Sequence, residues 1–307
     1  MIYIIRLIIN IIVSILYIKQ KHVIYVDKLL LCFYNKIDSY SVFLFNIKMS
    51  LHTLPPLVKA TVLHRPSKHI KSPYVADIVL EDGTEALCHT PGLGCSGLVS
   101  TDRTIYVSTS KATSKTSYTA QMAECSDTEG VYYVGIHPMV SQSIASTLLD
   151  RISTTVVWKS EVKISDHTRL DFVGTTSTGK KFYVEVKNAM ISHSTEARCN
   201  RFAIFPEGYR KSTSEPISPR AVKHAETLAD LMKLPDTEAA YLLFLVPRND
   251  CSGLELNKLD TIYCKAVSDA ILAGVIIKVF GVEFKKDGTV AFYKELPYKL
   301  ELSTPNV

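Results

Sequence analysis

The chain has 307 residues, a net charge of +5 and a hydrophobic content of 47%, which is enough for two modest domains. The charge is uneven, because residues 1–48 hold six Lys and Arg and only two acids. The rest of the chain is nearly neutral, so a global field that attracts nucleic acid is excluded and any DNA affinity must come from local patches. The seven cysteines are dispersed without a Cys-x-x-Cys pair, which argues against a disulfide framework or a zinc knuckle.

Residues 1–48 lack Ala, Gly, Pro, Thr and Glu altogether. One explanation is a membrane anchor over residues 1–18, which are almost wholly apolar but barely long enough to span a bilayer. The other is translated AT-rich sequence upstream of a true start at Met49, since the missing Ala, Gly and Pro have GC-rich codons. We favour the second, which predicts a cytoplasmic or nuclear protein; membrane association follows only if residues 1–18 are a real anchor. A peptide from residues 1–48 in the purified native protein would contradict this interpretation.

The next region, to about residue 136, predicts short strands separated by turns, with a turn signal at Glu81-Asp82-Gly83. The predicted strands are 57–63, 74–80, 84–88, 104–108, 118–124 and 131–134. So many short strands in this length are typical of a small closed barrel, and we assign residues 49–136 to an OB-like β-barrel. Exposed loops carry Lys68, Lys71 and Lys115, which are candidate phosphate contacts, although loops are also basic by chance.

From residue 137 the pattern alternates between helix and strand. The predicted elements are a helix at 141–149, strands at 155–164, 169–174 and 181–187, a helix at 219–233, a strand at 239–246, a helix at 261–274 and a hairpin of 275–284 with 290–293. Helix, three strands, helix and strand is the order of a PD-(D/E)xK core. The predicted fold class is therefore α+β: an OB-like barrel, then an α/β restriction-endonuclease-like domain over residues 137–307.

Three chemically active side chains fall on two neighbouring predicted strands. Because strand side chains alternate between faces, Glu185 and Lys187 share one face, and Asp171 points the same way on the strand before. Two carboxylates brought together in this way bind Mg²⁺ or Mn²⁺, which can polarise a phosphodiester and acidify a bound water. Lys187 would then orient the attacking water or stabilise developing charge. The sequence therefore predicts a metal-dependent nuclease site.

A structural alternative stands beside this prediction, because any half-buried strand with one charged face can contain Glu-x-Lys. The chain holds a second copy, Glu161-Val162-Lys163, on an earlier predicted strand. Taken alone, the tripeptide is therefore a weak signal.

The helix after Pro219 places Arg220, Lys223 and His224 at helical spacing on one face. Such a face is usually only solvated surface, but after a metal site it favours a clamp for nucleic-acid phosphates. Glu207, just before this helix, is an acid that could reach the metal or support its ligands. A purely structural turn explains Glu207 equally well.

Taken together, the motifs from about residue 57 to 300 resemble the sugar fermentation stimulation protein A family. The likeness is carried, in order, by Lys159-Ser-Glu-Val-Lys163, Arg169-Leu-Asp171-Phe, Tyr183-Val-Glu185-Val-Lys187, Phe205-Pro206 and Arg220-Ala-Val-Lys223-His224. The resemblance implies an OB-like N-terminal domain, a nuclease-like C-terminal domain and DNA binding with weak sequence preference. It also implies metal ligands at Asp171 and Glu185 and a catalytic lysine at Lys187. Beside these we predict supporting roles for Arg169 and Glu207.

Two hypotheses about function follow. The first is a DNA-binding protein with a Mg²⁺-dependent phosphodiesterase site and no small-molecule cofactor. The second is a non-catalytic DNA-binding regulator that retains the nuclease fold.

Overall fold

The structure is a computed structural model that describes residues 50–300, except for 166–167, 193–195, 209–211 and 213. The described residues all fall within one compact unit. Both explanations offered for residues 1–48 therefore concern a segment outside the described residues. Within the described part of the chain, no helix is long and apolar enough to cross a membrane.

The described residues form a mixed α/β protein in which strands predominate. The strands are β1 (Ser50–Thr53), β2 (Val58–His64), β3 (Val75–Leu80), β4 (Glu85–His89), β5 (Thr104–Thr109), β6 (Tyr118–Asp127), β7 (Gly130–Gly135), β8 (Val157–Ser165), β9 (Thr168–Thr175), β10 (Lys181–Asn188), β11 (Ile191–Ser192), β12 (Phe202–Phe205), β13 (Thr237–Val246), β14 (Gly253–Leu256), β15 (Ile276–Phe284), β16 (Thr289–Glu295) and β17 (Tyr298–Lys299). The helices are α1 (Pro138–Leu148), α2 (Pro219–Leu231) and α3 (Thr261–Leu272), with 3₁₀ turns at Gly94–Gly97 and Leu149–Arg151.

Strands β2 to β7 form a six-stranded sheet in the order β4-β3-β2-β5-β6-β7. A parallel pairing of β4 with β6, which sets Cys88 opposite Tyr118, closes five of these strands into a circuit. Alternate residues of the strands fill its interior, among them Val62, Ile78 and Ile105, which are wholly buried. The six strands predicted from the sequence agree with these elements.

A seven-stranded sheet, in the order β1-β16-β15-β13-β10-β9-β8, forms the second layer. Strand β13 lies parallel to both β10 and β15 at its centre. Its uninterrupted apolar run is buried on both faces, as a central strand of a covered sheet requires. The first strand, β1, pairs with β16 and so belongs to this sheet, although the sequence prediction assigns residues 49–136 to the barrel.

The two faces of β13 enter two different cores. Leu242 and Phe244 pack with residues of α2 and α3, whereas Leu243 and Leu245 pack with α1 and with Tyr106 and Met122 of the six-stranded sheet. The seven-stranded sheet therefore lies between the α2–α3 layer and the layer of α1 and the six-stranded sheet.

Side-chain caps fix where the two longer helices begin. Ser218 precedes Pro219 and its Oγ accepts the backbone N–H of Ala221 at 3.3 Å. Asp260 does the same for α3, accepting from the N–H of Tyr263 at 3.0 Å. An N-cap followed by proline favours a helix start, and α2 begins where the sequence predicts.

A third, four-stranded sheet of short strands, β11-β12-β14-β17, was not predicted from the sequence. Its members have two to four residues each, which is too short for an alternating pattern to register. Phe205 and the cis bond to Pro206 end β12.

Gly135 allows a close approach between the two larger sheets. Its N–H donates to the carbonyl of Pro247 at 2.9 Å, and a Cβ there would overlap the ring of Phe284, which is 3% exposed. We expect Gly135→Ala to lower the free energy of unfolding by about 1–3 kcal/mol, the usual range for overpacking. Urea unfolding measures it, with Phe284→Ala and the double variant as the comparison. If the Gly135 substitution costs as much without the Phe284 ring as with it, the overlap is not its cause.

Candidate active site

Asp171 lies where strands β9 and β10 separate. Their ladder pairs Val184 with Phe172, and one position further the Oδ2 of Asp171 accepts the backbone N–H of Val186 at 2.7 Å. The Asp171 side chain thus takes the place of the next backbone hydrogen bond between the two strands. This bond fixes the Asp171 carboxylate beside strand β10.

Glu185 is the most enclosed member of the site, with 3% of the residue exposed. Its Oε1 accepts from Lys187 Nζ at 2.6 Å and is in hydrogen-bond contact with Nδ1 of His224 on α2. The predicted trio of Asp171, Glu185 and Lys187 is therefore brought together, because β10 alternation directs Glu185 and Lys187 toward α2.

Burial and charge act differently on the two acids. Burial raises the pKa of Asp171 to about 6, and the negative charge of Glu185 adds to this effect. Burial also works to raise the pKa of Glu185, but the hydrogen bond from His224 and the charge of Lys187 outweigh it, so the pKa lies below its ordinary value. Glu185 is consequently the acid of the pair that ionises at the lower pH.

One carboxylate oxygen of the site has no hydrogen-bond partner among the described residues. Glu185 Oε2 is buried and makes no hydrogen bond, although buried polar atoms are normally satisfied. An oxygen of this kind beside a second carboxylate suits a hard divalent cation. No group of three or more His, Cys, Asp and Glu suited to a metal occurs among the described residues, so the protein would supply two acids and other ligands would complete the shell.

A cleft of about 680 Å³ opens beside His224. Among the described residues its wall is strongly basic and has no acidic side chain; the lining residues are Lys163, Ser165, Thr168, Arg169, Pro219, Arg220, Lys223 and His224. Arg220 and Lys223 are exposed there, whereas His224 is 5% exposed and turned inward. The predicted basic helix face is thus divided between a cleft wall and an internal contact with Glu185.

The second Glu-x-Lys copy lies beside the same site, although the sequence prediction did not include it. Lys163 lines the cleft, and Glu161 falls opposite Asp171, between the pairs Ser160–Phe172 and Val162–Leu170. The backbone of Glu161 has a φ of 54°, a strained value for this residue type. Repetition of the tripeptide on strands that flank Asp171 was the signal available in the sequence.

The two predicted supporting residues lie in different places. Arg169 lines the basic cleft, and its Nη1 lies 3.6 Å from Glu161 Oε2. Glu207 instead forms a hydrogen bond with Ser96, in the turn after β4. Burial raises the pKa of Glu207, partly opposed by that hydrogen bond. Arg169 therefore lies at the cleft. Glu207 instead links the end of β12 to the turn after β4 through its hydrogen bond with Ser96.

The predicted barrel lysines lie on exposed loops of the six-stranded sheet. Lys68 and Lys71 are in the β2–β3 loop and Lys115 is in the β5–β6 loop. Buried Asp77 organises the first loop, because its carboxylate accepts from Ser67 Oγ and, at 2.8 Å, from the N–H of Lys68. These lysines therefore lie on loops of the six-stranded sheet, whereas Asp171 and Glu185 lie on strands of the seven-stranded sheet.

Comparison with known proteins identifies the family. The model of the sugar fermentation stimulation protein RE domain matches residues 136–288, which contain Asp171, Glu185, Lys187 and the basic cleft. This chain belongs to the sugar fermentation stimulation protein family.

Curated relatives in bacteria carry the same description. A sugar fermentation stimulation protein homolog of Acaryochloris marina is 29% identical over 234 residues, covering 73% of this chain and 86% of that protein. A homolog of Caulobacter vibrioides is 28% identical over 236 residues, covering 74% of this chain and 89% of that protein.

A solved structure shares the fold. Pyrococcus furiosus SfsA in complex with Ca²⁺ superimposes with a TM-score of 0.65 at 19% identity, over 82% of this chain and 99% of that one. The family assignment and the mixed α/β fold expected from the sequence are thus confirmed.

The raised pKa of Asp171, about 6, predicts a pH-dependent stability. The native state favours protonated Asp171, so this contribution is fully present below the unfolded pKa near 4 and is lost as pH rises through 6. Relative to Asp171→Asn, which keeps an acceptor for Val186, the wild type should lose on the order of 1 kcal/mol of unfolding free energy between pH 5 and 8.

Urea unfolding in EDTA at several pH values measures this difference. Asp102→Asn, an exposed turn position, is the matched control and should follow the wild-type profile. Parallel profiles for wild type and Asp171→Asn would show that Asp171 titrates normally.

Proposed function

We propose that this protein binds DNA and hydrolyses its phosphodiesters with a divalent cation, Mg²⁺ or Mn²⁺, held by Asp171 and Glu185. The observation that carries the proposal is the buried Glu185 Oε2, which has no partner among the described residues and lies in a site next to a cleft lined by four Lys and Arg side chains. The related Pyrococcus protein, solved with Ca²⁺, supports a divalent cation as the occupant.

Bound between the two carboxylates, such a cation would polarise the phosphate and lower the pKa of a water. The residues of the chain prepare this chemistry. Glu185 is kept ionised by His224 and Lys187, and Asp171 is held by the Val186 amide. The Lys187 ammonium, 2.6 Å from Glu185 Oε1, is placed to orient the attacking water and to stabilise negative charge that develops on the phosphate.

The basic cleft accounts for DNA as the substrate. Lys163, Arg169, Arg220 and Lys223 present cationic groups along one wall, and such contacts neutralise backbone phosphates irrespective of base sequence. We therefore propose DNA binding with weak sequence preference. Lys223 and Arg220 take the phosphate-clamp role predicted from the sequence, and His224 acts from inside the protein.

The six-stranded sheet is the second part of the proposed interface. Its closed circuit joins β2, β3, β4, β6 and β5 in turn, and we interpret it as an OB-like barrel, an architecture that binds oligonucleotides on other proteins. Exposed Lys68, Lys71 and Lys115 would extend the phosphate contacts. The seven-stranded sheet with α1, α2 and α3 is correspondingly interpreted as a PD-(D/E)xK nuclease core.

A non-catalytic DNA-binding regulator is the second candidate, and one observation favours it. Lys187 forms an ion pair with Glu185, which neutralises much of the negative charge that would attract a cation. In that case the acids and the lysine stabilise one another, and the fold serves binding alone.

Cleavage assays separate the two candidates. Protein from Met49 onward should cut DNA with Mg²⁺ or Mn²⁺ but not in EDTA, and Asp171→Asn and Lys187→Ala should each lower the rate at least 100-fold by removing a metal ligand and a charge-stabilising group. Single-stranded, duplex and branched DNA should be compared, since the site does not define which is preferred.

Asp269→Asn and Lys265→Ala provide matched controls, because they make the same changes in an exposed ion pair on α3. Both should retain full cleavage. Salt-dependent DNA binding by the wild type without cleavage under any metal condition would establish the regulator instead.

A further inference from the structure

His224 occupies a position that its place on a basic helix face does not explain. It is 5% exposed and lies between the cleft wall and Glu185. Its Nδ1 contacts Glu185 Oε1 and lies 3.0 Å from Lys187 Nζ. On its other side, Nε2 lies 3.5 Å from Nε of exposed Arg220.

The neighbours of the ring determine its tautomer. Arg220 has only donors, so Nε2 must present its lone pair to it, and the proton of the neutral ring then sits on Nδ1. Nδ1–H donates to Glu185 Oε1. Lys187 Nζ is also only a donor, so it too donates to Oε1 rather than to the ring.

Glu185 consequently has two unlike oxygens. Oε1 accepts from both Lys187 and His224, whereas Oε2 is buried and has no partner in the part of the chain that the structure describes. The His224 ring is anchored on α2 and so cannot move with the Glu185 side chain. Its hydrogen bond to Oε1 therefore fixes the rotation of the Glu185 carboxylate.

We propose that His224 is a positioning residue that holds Glu185 so that Oε2 is presented to the divalent cation. This inference rests on the proposed function, since it concerns the same metal site. It assigns to the helix a task distinct from phosphate binding. Lys223 faces the DNA cleft, whereas His224 sets the geometry of a metal ligand one layer deeper.

Two substitutions separate positioning from simple packing. His224→Leu fills similar space but removes the donor, whereas His224→Asn is smaller yet places an amide near the position of Nδ1. Partners that orient a metal ligand typically change metal affinity 10- to 100-fold. We therefore expect Leu to weaken Mn²⁺ binding at least 10-fold and Asn to remain within about threefold of wild type.

The measurement is a Mn²⁺ titration of the full chain, in which free Mn²⁺ is quantified by electron paramagnetic resonance. Thermal melting in EDTA reports whether each variant is folded. Glu226→Gln, an exposed substitution on the same helix, serves as the control and should bind Mn²⁺ as the wild type does. Should the Leu variant fail to fold, His224→Gln replaces it, because its amide lies nearer the position of Nε2.

The outcomes are distinct. Weak Mn²⁺ binding by the His224→Leu or His224→Gln variant, together with near-normal binding by His224→Asn, supports the positioning role. The positioning role is overturned if the Leu or Gln variant binds Mn²⁺ as tightly as the wild type, or if the Asn variant loses as much Mn²⁺ affinity as the Leu or Gln variant. Neither result contradicts the metal site itself. Failure of the wild type to bind Mn²⁺ overturns both the metal site and this role, whereas DNA binding measured without metal tests the cleft independently.

Discussion

The charge of Glu185, buried beneath helix α2, is the constraint on which the site depends. An ionised carboxylate removed from water is strongly unfavourable unless donors and opposite charge surround it. Lys187 provides a positive charge and a donor to Glu185 Oε1, and His224 provides a second donor to the same oxygen. The helix must therefore approach strand β10 closely, and α2 does so with small buried residues, Ala221 and Ala225. Capping by Ser218 fixes where the helix begins, and so fixes the turn that carries His224.

The opening between β9 and β10 is the second structural requirement. If the two strands stayed paired beyond this point, the Val186 N–H would not be free for the Asp171 carboxylate. Because the ladder ends at Val184 and Phe172, the Val186 N–H is available to the Asp171 carboxylate. The Val186 amide thus holds the Asp171 carboxylate beside strand β10, where burial and the negative charge of Glu185 raise the pKa of Asp171.

The sequence predicted the parts of this arrangement that depend on period and on local chemistry. Alternation placed Glu185 and Lys187 on one face, and the Ser218-Pro219 pair marked the start of α2. Burial of His224 could not be predicted, because helical spacing groups it with Arg220 and Lys223 and says nothing about which side of that group faces the sheet. The short strands β11, β12, β14 and β17 were missed for a different reason, since pairing across long stretches of chain, rather than local pattern, creates them.

The position of the Glu161–Lys163 tripeptide shows how the acids and the cleft work together. Its presence makes the bare Glu-x-Lys pattern a weak signal, yet β8 and β10 flank β9, so both copies border the strand that carries Asp171. Acids thus gather at the centre while Lys163, Arg169, Arg220 and Lys223 form the rim. A phosphate drawn in by the rim would meet Asp171, Glu185 and Glu161, which repel it. A divalent cation held by Asp171 and Glu185, as proposed, would offset that repulsion. Attraction of a polyanion by the cleft and retention of a cation by the acids are therefore expected to strengthen each other.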